Sequence, residues 1–421
     1  MPDSIRIRDF AQPELPDWFE ELHETMGIGP EQRLDPMELL TEAIVREGGY
    51  DDYGDDQWFV APFKALVASV EADGELSPMG RFQVRELLVG LLVTRLRLTR
   101  LLERHPEILE LPVDAPVVVL GLPRTGTTHL HDLLSADPRF RYLPYWESLE
   151  PIAPGDGRPP AERPDPRVER TDLALTMLNT AMPLFPAMHE MTTDGAHEEI
   201  QLLAVDFATM LFEASYDVAG YADWYRRTDQ THAYRTLKVL LQVLQFLRPA
   251  GERWLLKSPQ HLEQLGPLLS VFPDARIVQT HRDPVAVTAS MTTMAAYSRR
   301  TNYLRIDPQR IGATWAERIE AMLLANLRDR PLVPDDQVMD VSFDEYMADQ
   351  WAVLADVYDL AGMDLSDDVR GRLQAAMDAR PRGRHGRVEY HLDDFGIDAA
   401  ERRAALAPYQ ERFAVPDEPI D

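Results

Sequence analysis

Residues 116–134, PVVVLGLPRTGTTHLHDLL, carry the first sign of chemistry in the chain. An apolar run, Val117 to Leu120, enters a loop that reads G-x-x-x-x-G-T-T, and an apolar-periodic segment follows. Strand, glycine-rich turn and helix start form an arrangement whose backbone N–H groups hold a phosphate or sulfate at the positive end of the helix. Thr127 and Thr128 add hydroxyl donors and Arg124 adds a charge inside the loop. A loop that cleaves ATP has lysine after its second glycine, where this chain has Thr127. The cradle therefore suits an anion but lacks the group that reaches a γ-phosphate.

Three further stretches hold candidate groups. In RIVQTHRDPVAVTASM, Arg282 lies at the predicted carboxyl end of a strand, with Asp283 as N-cap and Pro284 at the first helical position. That edge of a parallel sheet is where ligands bind. In WLLKSPQHL, Lys257 ends another strand and His261 falls on the first turn of the following helix. Lysine occurs only at 64, 238 and 257 in a chain whose other basic residues are arginine, so Lys257 stands out. In MHEMTTDGAHEEIQLLAVDFATMLFE, residues Ile200, Leu203, Ala204, Phe207 and Leu211 share one helical face, with His197, Glu198 and Glu199 in the first turn. These carboxylates fit two roles: charges that complement the helix dipole, or a general base. His129, His131 and His189 lack metal-ligand spacing, so no metal is expected.

The elements that must position these groups are legible in outline. PMELLTEAIVREGG and the segment from Pro78 to Pro106 carry apolar residues at three- and four-residue spacing, so residues 1–110 read as a helical N-terminal region. From 116 onward, strands and helices alternate: PVVVLGL, RWLLKS, RIVQTHRD and QVMDVSF are strands, each followed by a helical pattern. This predicts an α/β core over 111–408, a central parallel sheet flanked by helices, with an irregular tail over 409–421. The stretch 151–167, rich in proline, glycine and charge, is expected to be a surface loop within that core.

Composition narrows the function. The net charge of −28 argues against nucleic-acid binding, so an anion site must be built locally. There is no cysteine, no secretory leader pattern and no uninterrupted apolar run of transmembrane length, which together point to a cytoplasmic protein. Oligomeric state is not readable.

Taken together, the motifs resemble those of the PAPS-dependent sulfotransferases, in particular the bacterial family of about this length, over about residues 45–397. PAPS is 3′-phosphoadenosine 5′-phosphosulfate and PAP is the product left after sulfonate transfer. The resemblance implies a P-loop-like sulfotransferase fold and assigns Pro123, Arg124, Thr125, Gly126, Thr127 and Thr128 to the 5′-phosphosulfate. Arg282 and Ser290, eight apart, match the pair that holds the 3′-phosphate. Arg382, Gly383 and Arg384 in RPRGRHGRVEY are similar to a further 3′-phosphate loop, although this chain has G-R where that loop has K-G. Phe343 in VSFDEYM matches an aromatic near the adenine. Lys257 corresponds to a lysine acting on the bridging oxygen, together with Arg124. The catalytic base is Glu198 or Glu199, with His261 next, because the K-T-H histidine of the animal branch is missing. The implied reaction moves the sulfonate of PAPS to a hydroxyl or amine of a small-molecule or lipid acceptor. A nucleotide kinase or other P-loop phosphotransferase, and a non-catalytic nucleotide-binding protein, are the alternatives.

Overall fold

The structure is a computed structural model that describes residues 4–25, 33–158, 164–379 and 385–419. Its strands are β1 (Ser4–Ile5), β2 (Val117–Gly121), β3 (Phe140–Arg141), β4 (Arg253–Lys257), β5 (Arg276–His281), β6 (Val338–Ser342) and β7 (Arg387–Val388). Five form one sheet in the order β3-β4-β2-β5-β6, with every neighbouring pair parallel. β1 and β7 pair separately. The whole of β2 is buried, as its unbroken apolar run requires of a strand covered on both faces. On one face, Val118 and Leu256 belong to the same apolar core as Phe63 and Leu92 of the N-terminal helices Val60–Ala72 and Pro78–Arg104. On the other, Val117, Val119 and Leu255 pack with Leu354 and Val357 of the helix Gln350–Ala361.

Parallel register aligns the three central strand ends. Val119 lies opposite Lys257, and Gly121 lies opposite Thr280. The β2 loop, Lys257 and Arg282 therefore emerge at one edge although the chain separates them widely. Gly121 is required there: a Cβ would lie 2.2 Å from Thr280 Oγ1 and 2.8 Å from the Thr280 carbonyl oxygen. The helix after β5 starts as predicted, with Asp283 accepting a 2.9 Å bond from Val285 N and Pro284 at the first turn.

Three sequence expectations are corrected. The segment from 200 is not one helix but a turn Ile200–Leu203, a 3-10 turn Ala204–Asp206 and a second short helix Leu211–Ser215. Tertiary bonds take the place of helical ones between them: Gln260 Oε1 accepts from Met210 N at 3.0 Å, and Tyr221 Oη accepts from Thr209 N at 2.9 Å. Glu199 consequently caps a single turn. His261 sits in a 3-10 turn, Pro259–Glu263, not in an α-helix. The chain beyond Pro408 is not irregular at first: a helix spans Ala399–Phe413, held because Tyr409 and Phe413 pack on His281. No helix among the described residues is long and apolar enough to cross a membrane.

Candidate active site

The loop after β2 is shaped by its backbone. Arg124 has φ +73° and Gly126 φ +92°. Left-handed geometry is free for glycine and unfavourable for arginine, so Arg124 must be held there by its surroundings. Its guanidinium meets the Met188 carbonyl, Ser290 Oγ at 3.2 Å and Tyr390 Oη at 3.4 Å. Thr125 turns the other way: it is buried, donates to the Leu122 carbonyl at 2.7 Å and shares a 2.6 Å bond with Thr280 Oγ1. Thr125 thus fixes the loop, whereas Pro123, Arg124, Gly126, Thr127 and Thr128 line a cavity of about 730 Å³.

Lys257 and Glu198 line that same cavity beside the loop. Lys257 Nζ contacts the Glu198 carboxylate directly and lies 3.3 Å from Thr128 Oγ1. The ammonium is almost fully enclosed, so its charge acts at a short range that water screens poorly.

Glu199, one residue along, is spent differently. It is fully buried, accepts from Lys257 N at 2.9 Å and contacts His261 Nε2. His261 Nδ1 in turn lies 2.6 Å from Tyr234 Oη, and neither Glu199 nor His261 lines the cavity. Burial opposes the charge on Glu199, but the hydrogen bonds from His261 and Lys257 N prevail and hold its carboxyl below the usual range. The two adjacent glutamates therefore diverge, one into the cavity and one into a closed network behind β4.

Arg282 lines the cavity with its guanidinium 4.3 Å from the Phe343 ring centroid, and it donates to the Arg124 carbonyl at 3.0 Å. Its remaining edge is taken by a carboxylate of the C-terminal segment: Glu418 Oε1 accepts from Nε at 2.7 Å and Oε2 from Nη2 at 2.8 Å. Ser290 reaches Arg124 rather than lining the cavity. Arg382, Gly383 and Arg384 lie outside the described residues, but His385 and Gly386, directly after them, do line the cavity.

Some cavity groups carried no usable sequence signal. His189 and His197 line it, and burial followed by the Lys257 charge lowers His189 to about 4. His197 is lowered too, by burial and then by His189. His131, on the loop helix Thr127–Leu134, is wholly buried without a bond to either ring nitrogen, and burial with nearby Lys257 lowers it to about 3. Outside the cavity, buried Glu147 pairs with Arg141 at 2.6 Å and Arg248 at 2.9 Å, and the guanidinium of Arg248 also lies 5.4 Å from the Trp146 ring centroid.

Solved structures carry the same architecture. The chain is 29% identical to sulfotransferase STF1 from Mycobacterium tuberculosis H37Rv, with TM-score 0.77 over 90% of this chain and 99% of that one. It is 28% identical to sulfotransferase STF9 from Mycobacterium avium, with TM-score 0.79 over 90% of this chain and 97% of that one. Comparison with curated proteins finds no match. A family model described as the sulfotransferase family matches residues 116–367, which contain the anion loop, Glu198, Lys257, Arg282 and Phe343. With the fold, the loop and this match in agreement, the chain belongs to the sulfotransferase family.

Proposed function

We propose that the protein transfers the sulfonate group of PAPS to a hydroxyl acceptor, with Glu198 as the base. The supporting observation is the placement of Lys257 Nζ between Thr128 Oγ1 and the Glu198 carboxylate, inside the cavity that the anion loop also lines. Thr127, Thr128 and the loop N–H groups would hold the 5′-phosphosulfate. Arg282, with Ser290 behind Arg124, would serve the 3′-phosphate, and Phe343 would lie against the adenine. The acceptor oxygen attacks sulfur in line as the bond from sulfur to the 5′-phosphate oxygen breaks. Glu198 takes the acceptor proton. Lys257 and Arg124 steady the negative charge that develops on the departing oxygen of PAP, which is where fixed charge lowers a barrier most. Glu199 and His261 move from candidate bases to positioning groups in this reading, since they lie outside the cavity.

A donor with two phosphate ends makes a clear test. Calorimetry should show PAP binding more tightly than AMP, and Arg282→Ala should weaken PAP roughly 10- to 100-fold with little change for AMP, the loss of one or two charge-assisted contacts. Transfer from ³⁵S-labelled PAPS should persist in excess EDTA. Equal affinity for PAP and AMP, or transfer that needs added Mg²⁺, would count against the assignment.

A further inference from the structure

The rest of the cavity has a chemistry of its own. Six of the chain's 16 methionines line it: Met182, Met188, Met191, Met210, Met291 and Met294. They come from separate segments, so the wall is assembled by folding and not by one motif. Unbranched thioether side chains adapt to irregular apolar shapes. Among the described residues, the carboxylates that line the cavity are Asp132, Glu190 and Glu198. The cations Arg124, Lys257 and Arg282 stand at the loop end, His385 lies 3.0 Å from Glu190, and His189 and His197 are held neutral. An anionic acceptor would meet Glu190 and Glu198, whose described partners, His385 and Lys257, are already engaged with them.

We propose that the acceptor is an uncharged, lipid-like alcohol whose aliphatic body fills the methionine-lined chamber while its hydroxyl reaches Glu198. This rests on the sulfonate-transfer reading, but binding tests it without turnover. The probe is a series of straight-chain 1-alkanols titrated by calorimetry into the protein, with and without PAP. Affinity should rise about fourfold per added methylene until the chamber is full. The carboxylate of the longest bound chain should bind at least about tenfold more weakly than its alcohol, through like-charge repulsion and desolvation. Met210→Gln and Met294→Gln, near-isosteric and polar, should each weaken the longest bound alkanol several-fold and leave PAP affinity unchanged. Affinity independent of chain length, or tighter binding of a hexose or of the carboxylate, overturns the proposal. Failure of PAP to bind would instead remove the donor reading, while the alkanol series alone still decides the chamber.

A different observation carries a second inference. Glu418 occupies Arg282 with both oxygens, in the two-pronged manner by which arginine grips a phosphate. The segment is pinned in place: Glu418 N donates to Asp283 Oδ2 at 2.8 Å, and Arg403 bridges Asp283 at 2.9 Å and the Glu418 carbonyl at 3.0 Å. We infer that the C-terminal segment competes with an anionic ligand for Arg282, so the donor binds only by displacing Glu418. Glu418→Gln should then tighten PAP about tenfold without changing AMP, and Glu418→Asp should fall between Gln and the native chain. Unchanged or weaker PAP binding by Glu418→Gln, with Arg282→Ala still impaired, overturns this inference alone. PAP binding that ignores Arg282→Ala overturns it together with the 3′-phosphate assignment.

Discussion

At the loop end of the cavity, Arg124, Lys257 and Arg282 emerge from the carboxyl ends of three neighbouring parallel strands. The methionine wall is drawn from short helices, the turns between them and the helix Pro284–Ser298, and it meets the loop where the Met188 carbonyl contacts Arg124. The first region is positioned by backbone register, which tolerates little adjustment. The second is positioned by side-chain packing, which tolerates much. A register-fixed anion cradle beside an adaptable apolar wall fits the proposed transfer from a fixed donor. Lys257 and Glu198 pair beside the loop.

The largest effect should follow from changing a member of that pair. Glu198→Gln should cut turnover about 10²- to 10⁴-fold, the usual share of a general base, and leave PAP affinity nearly intact. Lys257→Ala should lower kcat by far more than it weakens PAPS binding, because the charge it stabilises exists mainly in the transition state. Single-turnover transfer and PAP titration separate these effects. Normal turnover by Glu198→Gln would break the division, since the base would then be a group other than the one that meets Lys257.

A smaller effect should come from Glu199, behind β4. Glu199→Gln keeps one acceptor and leaves either Lys257 N or His261 Nε2 imperfectly matched. The cost should be about 1–3 kcal/mol of stability, read by denaturant melts. The lowered pKa of Glu199 fixes the sign of the pH dependence. Its contribution is complete above the usual carboxylate pKa and is lost as pH falls through the folded value. The native–variant gap should therefore shrink on acidification. A gap that grows at low pH would show that the buried carboxylate is not charged.

The strand-loop-helix pattern, Asp283-Pro284 and the alternating elements were readable because local chemistry dictates them: an apolar run, a turn needing positive φ, a cap. So was the shared edge, which follows from parallel strands. That Glu198 and Glu199 must diverge follows from their adjacency, but which of them faces the cavity was not readable, because it is decided by contacts distant in sequence: Lys257 Nζ for Glu198, and Lys257 N with His261 for Glu199. Nor was the chamber: the sequence pattern of a methionine facing a cavity does not differ from that of one in the core. Glu418 lies 136 residues from Arg282, in a segment with no distinguishing pattern. Thr125 matched a motif position by place in sequence, while its hydroxyl is used inside the loop.

The smallest effect concerns a residue that belongs to neither region. His131 sits under the anion loop on the helix Thr127–Leu134, fully buried, and both ring nitrogens lack partners. Burial, then the Lys257 charge, lowers its pKa to about 3. A histidine depressed in this way is neutral when folded and takes up a proton when unfolded. Its contribution to stability is therefore unaffected above the ordinary value near 6.5, and it penalises the fold progressively as pH drops from there to the folded value. One such group costs about 1.4 kcal/mol between pH 7.5 and pH 5.5. His131→Leu, apolar and of similar bulk, removes both the titration and the unpaired nitrogens. Chemical denaturation at the two pH values should show the native chain losing about 1.4 kcal/mol more than the variant, with the variant at least as stable at pH 7.5. Equal losses would mean that His131 titrates alike in the folded and unfolded chain, and a smaller loss by the native chain than by the variant would mean that His131 holds its proton when folded, placing a charge beneath the loop in addition to Arg124 and Lys257.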